Sequence, residues 1–246
     1  MDSAVIVDPG VDATPAGTGR DRREAVAVAG HRGDEPGARA HLVDPDPSVR
    51  ATALSALVRM GRAGPDDVLA GLHDPTPTVR RRAARAAGEA AAAGAGVTGA
   101  GGAAPSGGAG TGARGTGAPS PVDAALVRAL ADPDALVVDA ACWAIGERGG
   151  GGDPDAVTAA LSAVATGHAD ARCREAAVAA LGALGALGLT GGRATVLLAL
   201  GDRPPVRRRA AVALAAFGPA GEEALRGCLQ DRDWQVRQVA ETLLGE

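Results

Sequence analysis

Residues 44–61 read DPDPSVRATALSALVRMG, and the fold follows from how this stretch is read. Two prolines hold an extended turn and Ser48-Val49-Arg50 opens a helix. Apolar side chains then recur at Val49, Ala53, Ala56, Leu57 and Met60 before Gly61 closes the segment. That spacing is one face of an α-helix, ended by the residue type that most readily adopts left-handed backbone. The pattern returns five more times, anchored at Val79, Val137, Cys173, Val206 and Val236. The residue after each anchor is Arg50, Arg80, Val138, Arg174, Arg207 or Arg237, and an alanine follows three residues later in every copy. Leu57, Ala87, Ile145, Leu181, Leu214 and Leu244 hold the next core position, and Asp44, Asp74, Asp132, Asp202 and Asp231 open the turns. Self-similarity at this period signals helical hairpins that bury their apolar faces only by stacking, so the expected fold is an all-α solenoid of about six antiparallel hairpins.

Working outward from the repeat, residues 21–93 and 121–246 carry the N-terminal and C-terminal copies, and residues 1–20 lack periodicity and read as a disordered N-terminus. Residues 22–29 read as a short helix capping the stack. The anchors Val79 and Val137 lie 58 residues apart because residues 94–120, GAGVTGAGGAAPSGGAGTGARGTGAPS, intervene. This glycine-rich run has no apolar face to bury and reads as a disordered insertion in a loop between repeats. Two copies before it are too few for a separate stable unit, so one continuous stack is expected.

Composition narrows the class further. Of 246 residues 46% are hydrophobic but only 1% aromatic, which implies thin layers packed through alanine. All 25 basic residues are arginine, a bias that reads as codon usage rather than phosphate binding, and the formal net charge is −4. Nucleic acid is therefore not the expected partner. Cys142, Cys173 and Cys228 form no CxxC pair and an odd number cannot close a disulfide framework, which fits a reducing cytoplasm. The N-terminal residues show no signal-peptide pattern, and the most apolar run, 176–189, falls short of the roughly 18–20 residues needed to span a bilayer. A cytoplasmic protein without membrane insertion is expected.

The recurring L-x-D-x-x-x-x-V-R-x-x-A-x-x-x-L, seen in LVDPDPSVRATALSAL (42–57) and LQDRDWQVRQVAETLL (229–244), resembles HEAT repeats. The short bacterial type, related to repeats of phycobilin-lyase-like proteins, is the nearest in pattern. The resemblance covers about residues 36–246 apart from the insertion. It implies a scaffold or adaptor whose second helices line a concave surface that holds a protein partner.

Two sets of candidate residues follow. The repeated Asp44, Asp74, Asp132, Asp202 and Asp231 with Arg50, Arg80, Arg174, Arg207 and Arg237 read as a structural ladder between the turns of adjacent repeats. Val138 leaves a gap in it, beside the insertion. Positions two, six and ten beyond each anchor select one stripe of the second helices by i, i+4, i+8 spacing. On that stripe Trp143 is the candidate apolar anchor, and Arg81, Arg85, Asp139, Glu147 and Arg208 are the candidate charged contacts. Interface hot spots favour Trp and Arg, whereas the competing reading has Trp143 folded over small alanines to fill a layer. Trp234 reads as packing on the preceding repeat to close the C-terminal end.

Catalytic alternatives find less support. HEAT-like iron hydroxylases carry His-Glu metal-binding dyads, but here the histidines precede other residues: His31-Arg32, His41-Leu42, His73-Asp74 and His168-Ala169. Phycobilin lyases share the repeat, but a shared scaffold does not transfer a substrate. HEAT-like DNA glycosylases combine a basic groove with aromatic and acidic residues, which Trp143 with Asp139 or Glu147 resembles faintly. No HExxH, phosphate-binding glycine loop or GxSxG elbow is present. No metal or cofactor is expected, and the chain reads as a non-catalytic binding module.

Overall fold

Short acidic and hydroxyl side chains that precede the helical stretches set where the helices start. Asp46, Asp134, Asp153, Asp170 and Asp233 each accept a bond from a backbone N–H in the first turn that follows. These N–H groups have no partner inside the helix, so an oxygen at the cap satisfies one that folding would otherwise strand. Proline in the first turn of several helices, including α2, α3, α8 and α11, costs no hydrogen bond there.

The computed structural model describes residues 17–97 and 120–245. Among them, α1 (Gly19–Arg32) precedes six helical pairs. The pairs are α2 (Glu35–Arg39) with α3 (Pro47–Arg59), α4 (Pro65–Leu72) with α5 (Pro77–Val97), and α6 (Pro121–Ala129) with α7 (Ala135–Glu147). They continue as α8 (Pro154–Gly167) with α9 (Ala171–Ala186), α10 (Arg193–Ala199) with α11 (Pro204–Leu214), and α12 (Gly218–Cys228) with α13 (Trp234–Leu244). No strand occurs among the described residues, and the architecture is an all-α solenoid.

The odd-numbered helices form one row, in which α1, α3, α5, α7, α9, α11 and α13 each pack against the next. The even-numbered helices form the other layer, where α4 packs on α6 and α8 on α10. The anchors Val49, Val79, Val137, Cys173, Val206 and Val236 are all buried, as are the alanines that follow them. One apolar core runs from Leu54 of α3 to Ala240 of α13, and a smaller cluster of Val26, Ala38, Val49, Ala53, Ala56 and Leu57 closes the N-terminal end. α5 packs along α7, although residues 98–120 and α6 separate the two in sequence; residues 94–97, expected to begin the disordered insertion, instead extend α5. No described helix is long and apolar enough to cross a membrane.

Two further expectations change, and the first pair is short. Of the terminus read as disordered, Gly19 and Arg20 open α1 and Thr18 caps it. Thr18 and Asp21 form a reciprocal capping box there, and Gly33 ends the helix in the left-handed conformation. Residues 1–16, like 98–119 of the insertion, lie outside the described residues. The first helix of the first pair is only α2, because beyond it the chain tightens into turn bonds, His41 N to Ala38 O at 3.2 Å and Leu42 N to Arg39 O at 3.1 Å. Those turns deliver Asp44 to α1. Trp234 does not close the end of the stack: it is 60% exposed. It occupies the first helical position that Pro47, Pro77 and Pro204 hold in other pairs, a position that points away from the neighbour while Val236 and Ala240 face it.

Candidate functional site

The repeated Asp and Arg divide their work within each turn. In Asp44-Pro45-Asp46 the second aspartate caps α3, and the first accepts the N–H of Asp46 at 2.9 Å and the guanidinium of Arg22 at 2.8 and 2.9 Å. The same arrangement recurs up the stack. Arg50 binds Asp74 (2.8 and 2.8 Å), Arg80 binds Asp132 (2.7 and 2.9 Å), Arg174 binds Asp202 (2.6 and 2.7 Å), and Arg207 binds Asp231 (3.1 and 3.0 Å). Each arginine reaches forward to the next repeat with two nitrogens. Arg50, Arg80, Arg174 and Arg207 turn the third nitrogen back to the carbonyl at the start of their own turn. Such two-pronged contacts fix geometry as well as charge.

These carboxylates are held below the usual range. At Asp44 and Asp202 the dominant cause is the bond from Arg22 and from Arg174. At Asp74 and Asp132 burial pushes upward, but the bonds from Arg50 and Arg80 with the turn N–H outweigh it. The ladder consumes its charges internally, so little of it remains to meet a ligand.

Sequence reading missed the first rung, because Arg22 lies on a helix without the Val anchor. It placed the gap beside the insertion, whereas the rung Arg80–Asp132 spans the insertion and the gap lies one layer on, between α7 and α9. There Val138 is fully buried, His168 stands at the aspartate's place in the turn, and the Cys173 thiol donates to the carbonyl of Ala135 at 3.2 Å. Arginine and aspartate are lost together, so neither is stranded. Among the described residues, the last arginine, Arg237, reaches the carbonyl of Asp231 at 2.7 Å and no carboxylate.

The exposed face of the odd-numbered row is where side chains remain available. A trough follows this row from α3 to α13 as four concavities, each sharing wall residues with the next. The first, of about 410 Å³, lies over α3, α5 and α7 between Ser55, Arg81, Leu136 and Arg172. The second, of about 440 Å³, is walled by Arg85, Asp139, Trp143, Glu147, Glu175 and Arg209. The remaining two carry Val212, Ala216, Val239 and Leu243 with no charge beyond Arg209.

Five of the six candidate contacts therefore share one surface: Arg81, Arg85, Asp139, Trp143 and Glu147. Arg208 does not line the trough. Its neighbour Arg209 does, and reaches Glu175 at 3.6 Å. Arg172 is a further cation that sequence reading passed over. The walls arise between helices, so residues one before and three or seven beyond the anchor line them as well as the two-six-ten stripe. A strict i, i+4, i+8 stripe is too narrow to show this.

Trp143 fills a layer, over a glycine of the neighbouring helix rather than over alanines. Its six-membered ring lies against Gly88 in α5, where an added methyl group would clash with Cζ3. The Arg85 guanidinium stacks above the ring, 5.0 Å from its centroid, and touches Asp139 at 3.4 Å. Cation–π stacking of this kind contributes roughly 0.5–1 kcal/mol at exposed sites. The indole is packed on one side and lines the trough on another. Arg82 is engaged by Glu89 (2.9 and 2.9 Å), whereas Arg81 and Arg172 make no ion pair among the described residues.

No cluster of three or more His, Cys, Asp or Glu side chains suited to a metal ion occurs among the described residues. The three cysteines are buried and unpaired, and burial pushes the Cys173 thiol up to about 11 and Cys142 higher still. Neither thiol is a poised nucleophile.

Among solved structures, the chain is similar to the crystal structures of three engineered proteins. One superposes with a TM-score of 0.61 at 19% identity, over 95% of this chain and 65% of that one. A second gives 0.56 at 19% identity, over 92% and 95%, and a third gives 0.52 at 21% identity, over 92% and 97%. At this identity the likeness is one of fold. No family model and no curated protein matches the chain.

Proposed function

We propose that this chain is a non-catalytic scaffold of the short HEAT-repeat type that docks a segment of a protein partner along its odd-numbered helices. The observation that carries the reading is the trough itself. Its four concavities follow one another across the six odd-numbered helices from α3 to α13, and they gather Arg81, Arg85, Asp139, Trp143 and Glu147 onto one surface. The ladder supports the same reading from the other side, since its charges are spent on holding repeats together. A partly covered tryptophan beside unpaired arginine is the composition of an interface anchor. Trp143 would present its free edge to the partner while Gly88 and Arg85 fix its orientation.

The test is affinity capture from the native cell, comparing the wild type with Arg81→Glu/Glu147→Arg. Both positions are exposed, so helicity and melting are expected to match the wild type. A partner held by the wild type and lost from the variant supports docking in the trough. Identical partners on both would move the binding surface elsewhere.

A further inference from the structure

The trough is not uniform along its length. Its α3–α7 end is cationic: Arg81, Arg85 and Arg172 face it against the single carboxylate of Asp139, with Arg82 already neutralised by Glu89. Leu136, 39% exposed, stands between these cations. The middle is balanced, with Asp139, Glu147 and Glu175 against Arg85, Arg172 and Arg209. Beyond Arg209 the walls carry no charge and are mainly apolar, with Gln238 and Thr242 as the polar exceptions, and Val212 (45%) and Leu243 (43%) remain exposed at the far end. In a chain of net charge −4 this cationic end is a local exception.

From this gradient we infer the chemistry and polarity of the partner: an extended protein segment whose acidic end lies over α5–α9 and whose aliphatic end lies over α11–α13. The inference rests on the reading of the trough as the docking surface and adds what fits it. Four helix-to-helix steps separate α5 from α13; at about 8–10 Å each they span roughly 32–40 Å. An extended chain at about 3.3 Å per residue covers that distance with some ten to twelve residues. Such a segment places carboxylates on Arg81 and Arg172, an apolar side chain against Leu136 or the edge of Trp143, and small aliphatics beside Val212 and Leu243.

A nucleic-acid strand fits less well. Its phosphates repeat along its whole length, but beyond Arg209 the walls offer no cation, and Arg85 already covers one face of Trp143. Strands bound without sequence preference need a continuous basic groove with open aromatic faces.

The test pans a random dodecapeptide library on the full chain, then measures one enriched peptide against Arg81→Glu/Arg172→Glu and against Val212→Arg. The expected consensus has acidic residues at one end and aliphatics at the other. Its affinity should fall about tenfold or more in each variant, a change of about 1.4 kcal/mol. A photo-crosslinker at the acidic end should label α5–α9, and one at the aliphatic end α11–α13. Peptides that depend on the trough but lack this polarity, or that crosslink in the reverse order, overturn the inference and leave trough docking standing. Enrichment of peptides insensitive to both variants removes the inference and the docking reading together. Tight, steeply salt-dependent binding of a 20-nucleotide strand that requires the same arginines would replace the protein partner with nucleic acid.

Discussion

Arg80 and Asp132 join the two parts of the chain that residues 94–120 separate, and the stack supplies its own control for what this rung is worth. Both side chains are largely buried, at 16% and 8% exposure, and are joined at 2.7 and 2.9 Å. Asp132→Ala removes two charge-assisted bonds, strands two guanidinium nitrogens and frees the Asp134 N–H that the carboxylate accepts at 2.9 Å. Breaking one partner of such a pair costs about 3–5 kcal/mol, and partial exposure places this rung near the lower figure. For a chain of this size about 3 kcal/mol corresponds to a fall in Tm of roughly 6–12 °C. Arg237 sits at the same repeat position with the same stem but no forward carboxylate, so Arg237→Ala should cost about 1 kcal/mol or less. The assay is urea denaturation followed by circular dichroism, with Arg80→Ala, Asp132→Ala, their double variant and Arg237→Ala measured together. A double variant no worse than either single one confirms coupling. Equal losses for Arg80→Ala and Arg237→Ala would show that the stems, not the ion pairs, hold the layers, and would refute the ladder as a stabilising device.

The gap between α7 and α9 can be filled. Val138→Arg should destabilise by about 3 kcal/mol because it buries an unpaired cation, and adding His168→Asp should recover at least about 1 kcal/mol of that in denaturant titration. Stability should also fall on acidification: the ladder carboxylates have lowered pKa values in the fold, so their contribution is complete above the unfolded value near 4 and drains away as pH drops through the folded values. A Tm that stays flat between pH 5 and 2 would contradict this. Gly88→Ala should lift Trp143 off its seat, costing about 1–3 kcal/mol as overpacking and shifting the tryptophan emission to the red, with Trp234 replaced by Phe so that one indole reports.

The helical frame was legible because each copy repeats it. Six anchors, six alanines and five aspartates locate the second helices, α3, α5, α7, α9, α11 and α13. Contacts between copies were less legible. Trp143 rests on Gly88 across the insertion, and periodicity within one helix cannot report which residue of another helix it meets. The one trace is that glycine recurs nine residues after the anchor at Gly88, Gly146 and Gly182. Mid-helix glycine costs up to about 1 kcal/mol relative to alanine, so its recurrence marks a close approach of the next helix. At Gly182 that neighbour is Ala213, which an added methyl would meet at 2.7 Å. Arg172 was missed for a related reason: a trough between helices draws on two faces, and a stripe on one helix shows only one.

The way the ladder fails says what it is for. Had the arginines served a ligand and the aspartates only the turns, their replacements would fall independently along the chain. Instead Val138 and His168 replace the two halves of one rung, and the layer closes through the buried valine and the Cys173 thiol. At the N-terminal end Arg22 supplies Asp44 with a partner from a helix that otherwise lacks the repeat pattern. Each buried carboxylate of the ladder thus has its guanidinium, and the one arginine without a forward acid is on the last described helix. This is pairwise burial of charge, where an unmatched member would cost several kcal/mol and a matched apolar replacement costs little. Side chains committed in that way cannot also select a partner. On the docking function proposed above, recognition would fall to the positions the frame leaves variable, and on this chain those positions line the trough that joins Arg81, Trp143 and Val212.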